Sequence, residues 1–66
     1  MTEEMGLREQ KKRMTREAIT AAAYELTVEK GVAEVTVEEI AREAFVSPRT
    51  VSNYFSSKEE AVLAAR

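Results

Sequence analysis

The sequence predicts an all-α fold, a three-helix bundle with the start of a fourth helix at its C-terminal end. Three observations carry that reading. Apolar residues recur with the period of a helix rather than that of a strand. Three times a Ser or Thr stands where it can cap a helix, just ahead of an apolar stripe. The composition argues for order, with two Gly and one Pro against 44% hydrophobic residues, and the many Ala and Glu are strong helix formers.

At 66 residues the chain holds one domain at most. A chain this short buries only about 60% of its unfolded surface, so its core is marginal without further support.

The first helix is predicted over Thr15–Lys30. Ile19, Ala22, Ala23 and Leu26 recur at i, i+3, i+4 and i+7, which makes one apolar stripe. Gly31 stands where a left-handed C-terminal cap is needed, and Val32 can fold back onto Leu26. Ahead of this helix, residues 1–13 are polar and lack an apolar period. They read as a flexible basic arm, with the folded domain over 14–66.

The second helix is predicted over Val37–Ala44. Thr36 and Glu39 have capping-box spacing, and Val35 with Ile40 forms a hydrophobic staple. Val37, Ile40, Ala41 and Ala44 make its inward face. The third helix repeats this grammar: Ser47 is the cap, Pro48 takes the first helical position, and Val46 pairs with Val51. Val51, Tyr54 and Phe55 point inward. A fourth start follows at once. Ser57 caps it, Glu60 closes a second box, and Val62 and Leu63 open an apolar stripe for which the chain supplies no partner.

Several function classes lose their chemistry here. With no Cys there is no disulfide and no thiolate metal site; with no His the commonest metal ligand and neutral-pH general base is gone. The expectation is a protein that is not an enzyme and needs no cofactor or metal. No apolar run approaches the ~18 residues of a membrane span, and the N-terminus lacks the apolar block of a signal peptide, so a soluble, cytoplasmic protein without a membrane partner is expected.

Net charge is −2, but its distribution says more. Residues 1–16 carry five basic against three acidic side chains, residues 17–44 two against seven, and residues 45–66 three against two. Acid lies in the middle and base toward the ends, and local sign matters more than net sign for binding a polyanion.

Two short helices joined by about three residues cannot lie side by side and must cross steeply, as in a helix-turn-helix. The first helix closes the core behind them, which gives a homeodomain-like arrangement. The outer face of the third helix is then Pro48, Arg49, Ser52, Asn53 and Ser56, one stripe. Short polar side chains let a helix sit deep in a DNA major groove, where Arg pairs with guanine and Asn with adenine. The amides at the starts of the third and fourth helices can hold phosphate oxygens, and Ser47, Thr50, Tyr54 and Lys58 surround those starts with donors. A polar helix face taken alone is usually no more than a solvated face. What distinguishes this one is the combination of capped starts, short turn and gathered donors. The rival reading is a helical protein-interaction module that uses the exposed apolar side of the fourth helix.

The stretch "TVEEIAREAFVSPRTVSNYFSSKEEAVLAA" resembles the DNA-binding domain of the TetR family of bacterial transcriptional regulators, and "TREAITAAAYELTVEKGVAEVTV" resembles that family's first helix. The match covers about Thr15 to Ala65. The resemblance implies the operator-reading part of a ligand-responsive regulator, with repression its expected role. It also implies a homodimer on a palindromic operator in double-stranded DNA. A larger C-terminal domain, not included in this chain, would bind a small-molecule effector and dimerise; this fragment alone would be monomeric. By matching motif positions, Pro48, Arg49, Ser52 and Asn53 would face bases. Ser47, Thr50, Tyr54 and Lys58 would hold the backbone, together with Thr36 and with Thr15 or Arg16. The basic arm would reach phosphates or the minor groove.

One position departs from the family pattern. The family usually has Gly at the turn, where this chain has Phe45. A positive φ there costs Phe on the order of 1–2 kcal/mol. The expectation is either another turn geometry or compensation by burial against the first helix, where Thr27 and Val28 leave room. Phe45→Gly is predicted to leave the fold intact.

Overall fold

The computed structural model describes residues 2–65, with side chains from residue 10 onward. Helix α1 spans Thr2–Lys30, α2 Val37–Ala44, α3 Pro48–Tyr54 and α4 Lys58–Ala64, with a short 3-10 turn over Val32–Glu34. There is no strand among the described residues, and the fold is the all-α bundle that the periodicity predicts.

The largest departure is the start of α1. Where the polar pattern predicts a flexible arm, residues 2–13 continue the helix. From Gln10 to Met14, where side chains are described, all are exposed, and a helical stretch with nothing to cover has no reason to be amphipathic. Its Glu, Gln, Lys and Arg are good helix formers, and only Gly6 opposes them. The 44 Å long axis of the molecule reflects this helix, since 29 residues at about 1.5 Å each span that length. Met1 and Arg66 lie outside the described residues.

Ile19, Ala22 and Ala23 of the predicted stripe are buried, with Leu26 at the border of the core. They meet Val35, Ile40 and Ala41 from the second segment, Val51 and Phe55 from the third, and Ala61 from α4. No polar side chain is buried among the described residues, so no desolvation cost weighs on this small core.

Local rules account for the element ends. Gly31 has φ 85 and ψ 148, a positive φ as predicted but with extended rather than left-handed ψ. Its amide still closes α1 on the Thr27 carbonyl at 2.8 Å. A Cβ at Gly31 would meet nothing within 4 Å, so the requirement for Gly is torsional. At α2 the capping box is complete: the Glu39 amide donates to Thr36 Oγ1, and the Thr36 amide to Glu39 Oε1, each at 3.1 Å. Val35 and Ile40, the predicted staple, are both fully buried.

Phe45 follows neither expected route. Its backbone is left-handed, φ 60 and ψ 41, and the residue is 94% exposed. The turn keeps the geometry that Gly ordinarily serves. The Val46 amide donates to the Ala41 carbonyl at 2.9 Å and the Phe45 amide to the Arg42 carbonyl at 3.2 Å, which is a Schellman motif.

The fourth helix also corrects its prediction. α4 packs on α1 through fully buried Ala61, with Val62 partly covered. Only Leu63 of the expected stripe stays exposed, at 63%. Ser57 accepts from the Glu60 amide at 3.2 Å as predicted, but the Glu60 carboxylate accepts from the Ser56 amide instead of closing a box on Ser57.

Candidate nucleic-acid interface

The site is built on α3. Ser47 precedes it with extended backbone, φ −80 and ψ 155, and Pro48 sits at the start of the helix. The Thr50 amide donates to Ser47 Oγ at 3.2 Å, and the two hydroxyls hydrogen-bond each other at 2.9 Å. Val51 anchors one side of the helix in the core, with Phe55 buried just past its end. That anchoring turns Pro48, Arg49, Ser52 and Asn53 outward, and all four are exposed. The predicted base-facing residues therefore share one solvent side. Ser56 does not extend the stripe, because α3 ends at Tyr54 and Ser56 lies in the bend beyond it.

Electrostatics separate α3 from its neighbours. The first turns of α2 and α4 carry Glu38 and Glu39, and Glu59 and Glu60. The first turn of α3 has no acidic residue and holds Arg49 instead, so the positive end of its backbone dipole is not neutralised. At α4, by contrast, Glu59 and Glu60 bring negative charge to the helix start, and the Glu60 carboxylate accepts from the Ser56 amide just ahead of the cap. Of the two helix starts predicted to hold phosphate, the α3 start is the one without a carboxylate in its first turn.

The predicted backbone-holding residues are placed around this helix in different states. Tyr54 and Thr50 are half-buried, with Tyr54 packed on the core. Thr36 is exposed, but its hydroxyl is engaged with Glu39. Lys58 donates to the Val35 carbonyl at 2.8 Å and the Ala33 carbonyl at 3.3 Å, so two of its three ammonium protons are committed inside the fold. On α1, Thr15 is half-buried and Arg16 exposed. The Arg16 guanidinium lies over the Phe55 ring, 5.5 Å from its centroid. This cation–π contact brings α1 to the end of α3.

Sequence reasoning missed the Lys58 tether, the Arg16–Phe55 contact and the Lys30–Glu39 ion pair. Each joins residues too far apart in sequence for any period or cap rule to pair them. The Lys30 ammonium beside Glu39 holds that carboxyl below the usual range; partial burial opposes this, and the Thr36 amide adds to it. No group of three metal-ligating side chains occurs among the described residues. No described helix is long and apolar enough to cross a membrane.

Comparison with known proteins bears on this geometry. The family described as bacterial regulatory proteins, tetR family, matches residues 19–65. The HTH-type transcriptional regulator TcmR of Streptomyces glaucescens is 45% identical over 58 residues, 88% of this chain and 26% of TcmR. The HTH-type transcriptional regulator BetI of Rhizobium meliloti is 43% identical over 49 residues, 74% of this chain and 24% of BetI. The chain thus spans about a quarter of the length of these curated relatives. No solved structure matches it.

Proposed function

The chain belongs to the TetR family of bacterial regulatory proteins, and on that premise we propose that it reads a DNA operator in double-stranded form through the outer face of α3. One observation carries the reading: Arg49, Ser52 and Asn53 are exposed on a helix whose opposite side is locked into the core. Seated in a major groove, Arg49 pairs with guanine O6 and N7 and Asn53 with adenine N6 and N7, while Pro48 and Ser52 meet base edges. Ser47, Thr50 and Tyr54 fix the register on phosphates, with Thr36, Thr15 and Arg16 beside them. Lys58 contributes its remaining proton. The basic residues at the N-terminal end of α1 add long-range attraction.

In the whole regulator two such heads form a homodimer on a palindromic operator, with half-sites about 34–36 Å or a multiple apart. A small-molecule effector bound elsewhere in that protein changes the spacing of the heads and releases the operator, so the role is that of a ligand-responsive repressor. This chain alone binds as a monomer, weakly and with strong salt dependence. The rival reading, a protein-interaction module on α4, is left with little surface, because Ala61 is buried and Val62 half-buried.

Selection from a pool of random duplexes tests the proposal. The chain is expected to enrich one recurrent half-site, and Asn53→Ala to lose the preference at a single position of it. A pool that emerges unenriched would remove sequence-specific reading.

A further inference from the structure

We propose that the Phe45 ring is a DNA-contacting group, lying against a deoxyribose at the edge of the major groove when α3 is seated. The proposal rests on the DNA reading of α3 and adds to it an apolar contact.

Two costs meet at Phe45. Its φ of 60 is strained for a bulky residue such as Phe. Phe45 is 94% exposed, so burial of its ring does not offset that strain. Gly would satisfy the same turn without either cost. A residue that breaks a local rule with no return inside the fold points to a return outside it. The turn is also firm: the bonds from Val46 to Ala41 and from Phe45 to Arg42 close it on α2. The ring is therefore presented from a fixed backbone.

Position selects the partner. Phe45 precedes Ser47, the cap of α3, by two residues, so their Cα atoms are within about 7 Å. In a helix-turn-helix the N-terminal residues of the second helix go to the base edges. The segment just ahead of them then stands at the rim of the groove, whose walls are phosphates and sugars. A phenyl ring offers a phosphate no donor, and its apolar surface matches the C–H face of a deoxyribose.

The test compares the parent chain with Phe45→Gly, Phe45→Asn and Phe45→Tyr, using fluorescence anisotropy with a short mixed-sequence duplex at several salt concentrations and a thermal melt of each. Gly and Asn accept a positive φ and lack the ring. Both are expected to melt at or above the parent temperature. Both should bind about five- to ten-fold more weakly at every salt concentration, with an unchanged salt slope, as removal of a partly buried ring would produce. Tyr is expected to bind like the parent. Undiminished binding by the Gly and Asn variants would overturn the proposal while leaving the DNA reading intact. Weaker binding with a flattened slope would also overturn it, since the loss would then be a phosphate contact. No binding by the parent would remove the DNA reading and this proposal together.

Discussion

The Lys58 ammonium donates to the Val35 carbonyl at 2.8 Å, across 23 residues of sequence, and so ties the start of α4 to the approach of α2. The same group shares itself with the Ala33 carbonyl. A residue proposed as a phosphate holder is therefore a strut of the fold. Its two roles are separable by experiment.

Lys58→Ala is expected to destabilise the fold by about 1–2 kcal/mol, since two carbonyls lose a charged donor that is only partly shielded from water. Urea denaturation measures this. The same variant is expected to bind every duplex more weakly with a shallower salt slope. Weaker binding with parental stability would mean that the carbonyl bonds contribute nothing.

Arg16 is held by a ring as well as by solvent. Arg16→Lys keeps the charge but replaces the guanidinium over the Phe55 ring with a compact, more strongly hydrated ammonium. It is expected to lower stability by about 0.5–1 kcal/mol, the scale of an exposed cation–π contact, and to keep the parental salt slope. Arg16→Ala is expected to lower that slope by about one. Equal slopes in Arg16→Ala and the parent would take Arg16 off the phosphate contacts.

Glu39 gives the fold an acid-sensitive contact. Its folded pKa lies below the usual 4.5, chiefly through Lys30. A depressed carboxylate pKa contributes stability that is fully present above the unfolded value and is lost as pH falls through the folded one. The melting difference between the parent and Glu39→Gln should therefore be constant well above pH 4.5 and shrink below it. A difference that grows on acidification would reverse the assigned sign.

Arg49 has no structural task, because its side chain is exposed and no hydrogen bond or ion pair of the described residues engages it. Arg49→Ala is expected to leave the melting temperature unchanged. It should cost about 1–3 kcal/mol on a preferred half-site and relax the preference at one base pair. A uniform loss on all sequences would make Arg49 a phosphate contact instead of a base reader.

What was legible in the sequence was local. The caps at Thr36, Ser47 and Ser57 rest on residues three apart, and each is present. The stripe Ile19, Ala22 and Ala23 rests on helical period, and it is the α1 side of the core. The length of α1 was not legible, because an uncovered polar helix leaves no period to read. The positive φ at Phe45 could be anticipated from the family pattern. The exposure of its ring could not, since burial depends on what α1 brings nearby. The Lys58 tether and the Arg16–Phe55 contact are products of the closed fold, joining segments that no local pattern relates.

Backbone amide NMR, following this chain as a short mixed-sequence duplex is added at low and then moderate salt, tests the central claim most directly. Shifts are predicted to cluster on Thr36, on Ser47 through Tyr54 and on Lys58, and to fade as salt rises. Silence across α3, or shifts confined to Leu63 and its neighbours on α4, would contradict the assignment of α3 as the DNA-reading element.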